Sequence, residues 1–203
     1  FLAVKEDIVS GTVKRVERHG IIVEVVPGKL DALIPRDQML PRENYRGGDK
    51  IRALFLRVEE FNGGRKQILL SRTSGEFLRK LFEQEVPEIA DGTIEIVKIV
   101  RDAGHRTKIA VSSNREDVDP VGACVGLKGV RIQNVIRELL GEKIDVLKFD
   151  PDPAVFIKNA LSPAQVERVF ILDQEKRQAL AIVEESQFSL AIGKQGQNVR
   201  LAN

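Results

Sequence analysis

The stretch GACVGLKGVRIQNV (residues 122–135) decides the fold, and SLAIGKQGQNVRLA (residues 189–202) repeats its pattern. In each stretch two glycines bracket two residues, one of them lysine, between apolar segments of helical period. The stretches align at an offset of 67 residues, which pairs Gly126 with Gly193 and brings the second glycines into register. An internal repeat of this kind predicts two copies of one structural unit.

Two short loops organise the repeat: residues 126–129, called corner one, and residues 193–196, called corner two. A helix pattern and two strand patterns precede each corner, GEFLRKLFEQEV, GTIEIVKIV and RTKIAVSS in the first copy and PAVFIKNAL, QVERVFILD and QALAIVEE in the second. The strand KIDVLKFD closes the first copy, so the order αββααβ predicts two α+β units. The equivalent strand would recur at about residue 210, and we expect the second unit to lack it in this chain.

The amino-terminal third has a different pattern, typical of short β-strands. Five segments rich in β-branched residues lie between turn signals over residues 7–72. Five strands in so short a stretch predict a small closed barrel, because closure removes exposed sheet edges. We therefore predict three domains, at residues 1–73, 74–150 and 151–203.

Composition favours a soluble protein of a reducing compartment. Hydrophobic residues make up 42% and charged residues 31%, and no apolar run approaches the length of a membrane span. With Cys124, His19 and His105 as the only Cys or His residues, neither a disulfide framework nor a Cys/His metal cluster can form. We expect a cytoplasmic protein with no metal and no cofactor. The net charge is only +2, so any affinity for nucleic acid must come from local placement of cations.

The corners carry the chemistry expected of a phosphate-binding loop. Paired glycines allow a sugar–phosphate chain to approach the backbone, and the following helix offers unpaired N–H groups. Lysine adds charge at the same place, and the residue two positions after each corner lies on the first helical turn. The alternative is a helix-turn-helix whose glycines only end a helix. The predicted RNA-binding residues are Gly126, Leu127, Lys128, Gly129, Arg131, Gly193, Lys194, Gln195, Gly196 and Asn198.

The corners resemble those of KH domains of the αββααβ, type II, kind, in which a Gly-x-x-Gly loop clamps RNA. The barrel resembles an S1-type OB fold through G-x-V-x-x-V at residues 11–16, HGIIV at 19–23, GD at 48–49 and I-x-LSR at 68–72. The combination resembles the NusA family of bacterial transcription elongation and termination factors. Further matching stretches are QMLPRENYRGGD, EVPEIADGTIEIV, DPVGACVG, GEKIDVLKF and AIGKQGQNVRLA.

The resemblance implies a multi-domain protein: an all-β OB-fold (S1-type) barrel followed by two α+β type II KH domains. It also implies binding of single-stranded RNA, the nascent transcript, and action with RNA polymerase in pausing, termination and antitermination. Polymerase would be held mainly by a domain preceding Phe1. Other antitermination factors would be partners, and we expect a monomer with no membrane association.

The barrel offers a second set of candidate RNA contacts. His19 falls near a position where barrels of the S1 kind often present an aromatic residue. Arg18 and Arg36 could hold phosphates, and the alternative is that they are solvated surface residues. The chain has nine Phe, one Tyr and no Trp, and of the positions that often carry aromatics only His19 has a ring, so base stacking on the barrel should be weak. Since each corner supplies one cation, tight binding would need a composite surface across both repeats.

Two other classes of function stay open on the sequence. The first is the RNA-targeting appendage of a ribonuclease or phosphorylase; polynucleotide phosphorylase, however, resembles one KH domain followed by S1, the reverse order. The second is a protein-docking scaffold, because fold alone does not fix function. No catalytic constellation is visible, since Cys124 has no base in its own segment and neither corner is a nucleotide P-loop. We therefore expect no enzymatic activity.

Overall fold

The computed structural model describes residues 7–26, 29–61 and 63–203, and of Val26 the backbone alone. Contacts divide the chain into two compact units, one through Gln84 and one from Glu85 to Asn203. The first unit contains the barrel, and the second contains both corners. The domain limits given above stay predictions.

Five strands build the barrel, as the sequence predicts. They are β1 Ile8–Glu17, β2 Gly20–Val26, β3 Leu30–Pro35, β4 Lys50–Phe61 and β5 Arg65–Ser71. The sheet closes in the order β1-β2-β3-β5-β4. Its only parallel pairing joins β3 to β5, through Ala32 with Ile68 and Leu33 with Leu69. A 3₁₀ turn, Arg36–Gln38, follows β3.

Inward-facing aliphatic side chains fill the barrel. Alternation along β1 places Val9 and Val13 inside, and β2 contributes Ile21, Val23 and Val25. The other core residues are Ala32, Ile34, Ile51, Ala53, Phe55 and Leu70. These side chains give the barrel an apolar interior.

A buried ion pair fixes the end of the barrel to the helix that follows. The Arg72 guanidinium is paired with the Glu43 carboxylate, and both side chains are almost fully buried. Arg72 also donates to the Arg52 carbonyl at 2.6 Å and lies 5.3 Å from the Phe77 ring centre. Because so many groups compensate its charge, Arg72 can serve as a cross-link inside the first unit.

Two helices lead from the barrel to the first sheet. Helix α1, Gly75–Glu85, buries the predicted apolar face of Phe77, Leu78, Leu81 and Phe82. The sequence indicates that Pro87 ends this helix. In the structure Pro87 also begins a short helix, α2, Pro87–Ala90, because proline is favoured in a first helical turn, where its missing N–H costs nothing.

The first repeat forms the expected three-stranded sheet with two helices. Strands β6 Ile94–Asp102 and β7 Arg106–Ser113 pair antiparallel, and β8 Lys143–Lys148 adds parallel to β7. Helices α3 Pro120–Val125 and α4 Val130–Glu138 flank corner one. Ile109, Val111, Cys124, Val135 and Leu139 are buried in this module.

The second repeat has the same order up to its last helix. It comprises α5 Pro153–Ala160, β9 Arg168–Asp173, β10 Gln178–Ile182, α6 Glu185–Ile192 and α7 Gln197–Ala202. Its described strands form a two-stranded sheet, β10-β9.

The two repeats pack against each other, as the short connector between them suggests. Ala110 and Leu147 of the first sheet cluster with Ala160 of α5. Phe149 and Phe156 meet edge to face, with ring centres 5.1 Å apart. Polar contacts add to this packing, since Lys108 Nζ donates to the Ser162 carbonyl at 2.7 Å and Gln197 Nε2 to Asp102 Oδ2 at 3.1 Å. Both corners therefore belong to one compact unit.

Candidate nucleic-acid interface

Corner one is a left-handed turn between two helices. Helix α3 begins at the N-cap Asp119, whose carboxylate accepts from the Val121 N–H at 3.1 Å, and ends at Gly126. Gly126 has φ 78° and ψ 170°, a conformation that is essentially restricted to glycine. Lys128 (φ 52°, ψ 25°) and Gly129 (φ 75°, ψ 15°) are both left-handed, and α4 begins directly afterwards.

Corner two has nearly the same backbone. Gly193 has φ 77° and ψ 168°, Gln195 φ 55° and ψ 29°, and Gly196 φ 71° and ψ 14°. In both corners the second glycine N–H donates to the first glycine carbonyl at 3.0 Å. The repeat seen in the sequence is thus a repeat of backbone torsions as well.

The first glycine of each corner is required by space as well as by torsion. A Cβ on Gly126 would lie 2.7 Å from Arg131 Cγ, and one on Gly193 would lie 2.7 Å from both the nitrogen and the Cβ of Asn198. These distances are far below van der Waals contact. The residue two places after the corner therefore packs directly on the glycine and holds the turn closed.

The start of the second helix at each corner is open. No side chain caps α4 or α7, and neither first turn carries an acidic residue. First-turn N–H groups have no partner within their own helix, and the helix dipole is positive there. Lys128 and Lys194 are exposed beside these groups. Each corner thus presents exposed positive charge and a bare backbone to an anion.

The structure changes the role predicted for Arg131 and Asn198. Asn198 is fully buried, and its Nδ2 donates to the carbonyls of Leu161 at 3.0 Å and Ala191 at 2.9 Å. A side chain buried in this way does not reach an RNA outside the fold, so the prediction of direct contact is revised. Arg131 is partly exposed but is held by the Ala123 carbonyl at 2.8 Å and by Glu88 at 2.9 Å. Both residues brace their corners.

Apolar side chains line the corners, as the sequence suggests. Val125 and Ile132 are half-buried, whereas Ile192 and Val199 are 37% and 44% exposed. A groove of about 520 Å³ runs along corner one between Gly122, Lys128 and Arg131. The first corner therefore has a defined concave surface.

The three barrel candidates lie close together. Arg18 and His19 form the turn between β1 and β2, and Arg36 directly follows β3. The Arg36 N–H donates to the His19 carbonyl at 2.9 Å, and its guanidinium donates to the Arg18 carbonyl at 3.3 Å. The His19 ring lies 3.1 Å from Glu17, which reduces the local positive charge. The contribution of this cluster to binding stays a prediction.

Other polar residues of the first repeat have structural roles. Arg101 and Arg106 pair with Glu142 and Asp145 and are buried, so they do not form an RNA surface. Burial, followed by the charge of Glu88, raises the pKa of Cys124 to about 12, which keeps the thiol protonated. Among the described residues no cluster of His, Cys, Asp and Glu suits a metal ion, and no helix there is long and apolar enough to cross a membrane.

Two residues of the site, Glu88 and Val130, are not among those predicted from the sequence. Glu88 holds Arg131 from across the module, and no local signal marks such a long-range partner. Val130 is 57% exposed at the start of α4. The signal available in the sequence was an apolar residue directly after the second glycine of corner one.

Family comparisons agree with this architecture. An S1 RNA binding domain model matches residues 3–71, a NusA-like first KH domain model matches residues 72–149, and a NusA-like second KH domain model matches residues 153–203. The chain belongs to the NusA family, as its S1–KH–KH region. In this NusA-type region the barrel is the S1 domain, and corners one and two are the Gly-x-x-Gly loops of the two KH domains.

Several bacterial proteins that carry the name NusA are similar to this chain. The transcription termination/antitermination protein NusA of Halalkalibacterium halodurans is 47% identical over 202 residues, which are 100% of this chain and 52% of that protein. The Borreliella burgdorferi protein of that name is 47% identical over 97% of this chain and 40% of its own length. The Mycobacterium tuberculosis protein of that name is 46% identical over 97% of this chain and 58% of its own length. The chain spans about half the length of the NusA relatives it matches.

Proposed function

We propose that this region binds single-stranded RNA through both corners, as part of a transcription elongation factor that acts with RNA polymerase in pausing, termination and antitermination. The observation that carries the proposal is the occurrence, twice, of one left-handed glycine turn with an exposed lysine and an uncapped helix start. Gly126, Leu127, Lys128 and Gly129 form the first contact and Gly193, Lys194, Gln195 and Gly196 the second. Arg18, His19 and Arg36 of the S1 barrel supply weaker phosphate contacts.

The proposal includes the setting in which the region works. Its ligand is the nascent transcript, and its partners are RNA polymerase, held mainly by parts of the factor outside this chain, and other antitermination factors. The region acts as a monomer in the cytoplasm, without catalysis, metal or cofactor. It is divided into domains at residues 1–73, 74–150 and 151–203.

Fluorescence anisotropy with a short unstructured RNA tests the binding claim. Wild type is compared with Lys128→Asp, Lys194→Asp and the double variant across a salt series. Each phosphate neutralised contributes a log–log salt slope of about −0.7, so the double variant should lose both affinity and slope. Lys158→Asp is the matched control for each single variant, since it makes the same charge change on an exposed residue of α5, outside both corners. A double variant that binds as the control does would refute the proposal.

Crosslinking in a stalled elongation complex tests the transcriptional setting. A nascent RNA with a photoreactive nucleotide should crosslink to the wild-type chain and much less to the Lys128→Asp/Lys194→Asp variant. Equal crosslinking of both proteins would show that the transcript runs elsewhere.

A further inference from the structure

The two corners present different side chains on one backbone. At the offset of 67 residues, Leu127 stands where corner two has Lys194, and Val130 stands where it has Gln197. Leu127 is 85% exposed and Val130 57% exposed. Since the torsions of the two corners match, equivalent side chains leave the backbone in the same directions. Corner one therefore shows an apolar pair to solvent where corner two shows a polar pair.

The apolar pair belongs to the groove at corner one. Leu127 and Val130 line the groove of about 520 Å³, together with Lys128 and Arg131. Single exposed apolar residues are common on protein surfaces and need no explanation. Two of them in one concavity rimmed by cations form a site with both an apolar wall and a positive edge.

A nucleotide combines the two properties that this groove matches. Its base has an apolar face, and its phosphate is an anion. The uncapped start of α4 adds first-turn N–H groups at the same edge, and no acidic residue lies in that turn. At the positions of corner two that are equivalent to Leu127 and Val130, Lys194 offers charge and the Gln197 amide donates to Asp102, so neither presents an apolar face.

We propose that the Leu127–Val130 patch holds the face of an unpaired nucleobase while Lys128 contacts a neighbouring phosphate, and that corner two binds the sugar–phosphate backbone only. Corner one then contacts both a base and a phosphate, and corner two contacts only the charged sugar–phosphate backbone. This inference rests on the proposed function, because it requires that RNA lies across the corners.

Two probes separate base contacts from backbone contacts. One is a ten-nucleotide oligouridine, and the other is the same oligomer with abasic ribose units. The ratio of their dissociation constants, measured by anisotropy, reports the base contacts. The key variant, Leu127→Lys/Val130→Gln, transplants the corner-two residues to equivalent backbone positions. The added lysine raises the affinity for both probes by the same factor, so this gain cancels in the ratio of the two dissociation constants.

We expect the wild type to prefer oligouridine and the key variant to lose about five- to tenfold of that preference, as the loss of one half-covered apolar contact implies. Leu127→Ala should lose part of it. Lys194→Ala, made in corner two, removes the charge without adding a large apolar side chain, so it should weaken both probes alike and leave the ratio unchanged. The three side chains that are changed, Leu127, Val130 and Lys194, are all exposed, so unfolding midpoints should match the wild type.

The outcomes separate the inference from the function on which it rests. If both probes bind and the key variant keeps the wild-type ratio, the patch does not contact a base and the inference is overturned, while RNA binding stands; a protein-docking role for the patch would then follow. If neither probe binds the wild type, the proposed function fails and the inference fails with it.

Discussion

The first and second KH modules reach the same corner backbone on unequal supports. Strand β7 of the first module is paired on both sides, and its residues 106–111 are all buried. Its counterpart β10 pairs only with β9 among the described strands, and four of its five residues are exposed. The corner torsions nevertheless agree closely. The glycine turn thus has the same backbone geometry in both modules.

The modules also differ in how they hold their interiors together. The first buries an ion pair, Arg101 with Glu142, under its hairpin. The second relies at its corner on one neutral side chain, Asn198. Substitutions at these positions test whether corner and support are as separable as the comparison indicates.

The largest effect is expected for Glu142→Ala. The Glu142 carboxylate is fully buried and accepts from Arg101, from the Gly104 N–H at 2.6 Å and from Thr107 at 3.0 Å. Removing it takes the counter-charge from a buried guanidinium, which costs about 3–5 kcal/mol. Urea unfolding should show this loss, whereas Asp117→Ala, in an exposed pair with Arg115, should leave stability unchanged. A loss below about 1 kcal/mol would contradict the structural role of the pair.

Replacement of the first corner glycine by alanine should cost more in corner two. At both positions alanine must adopt torsions that are essentially restricted to glycine, which lowers the free energy of unfolding by about 1–3 kcal/mol. In corner two the new Cβ also meets backbone, Asn198 N at 2.7 Å, whereas in corner one its three nearest atoms belong to the Arg131 side chain, of which the Cγ at 2.7 Å and the Cδ at 3.0 Å can shift by rotation. Gly193→Ala should thus lower the unfolding free energy and RNA affinity more than Gly126→Ala.

Gly196→Ala is the matched control for this pair, since no atom lies within 4 Å of its added Cβ and only the left-handed φ opposes it. Its cost should be about 1 kcal/mol. Equal losses for all three variants would show that steric closure of the corner adds nothing to the torsional requirement.

The bracing residues come next. Asn198→Ala removes two hydrogen bonds to buried carbonyls and should cost about 1–3 kcal/mol, while Arg131→Ala, at a partly exposed site, should cost less. RNA affinity should fall for Asn198→Ala with an unchanged salt slope, because the side chain positions the corner without touching phosphate. A slope reduced by about 0.7 would instead indicate a lost phosphate contact.

The smallest effect is expected at Cys124. Ala191 occupies the equivalent place in the second module and is buried too, so Cys124→Ala should lower the free energy of unfolding by about 1 kcal/mol or less.

Burial raises the pKa of Cys124 from 9.0 to about 12. The folded state therefore favours the neutral thiol, and the stability that this gives is fully present below pH 9 and is lost as the pH rises through 12. Iodoacetamide should label the thiol at pH 8.5 only as fast as the module opens. Rapid labelling of the native protein would contradict this burial.

Much of this architecture was predictable because it depends on local pattern. Alternating β-branched residues predicted the barrel strands, and the glycine spacing predicted both corners. Polar burial was not predictable, because it depends on partners distant in sequence. Asn198 looked like a surface residue in its helical turn, yet its amide lies between the carbonyls of Leu161 and Ala191. The pairing of Arg72 with Glu43 across 29 residues left no periodic signal either.

Amide NMR of the corner glycines tests the central claim most directly. Gly126, Gly129, Gly193 and Gly196 each give an amide resonance that reports on the proposed contact, and all four have the positive φ that sets them apart from helical neighbours. On titration with a short single-stranded RNA, the resonances of both glycine pairs should shift together and saturate at one affinity. Shifts confined to the barrel, with the four glycine resonances unmoved at saturating RNA, would contradict it.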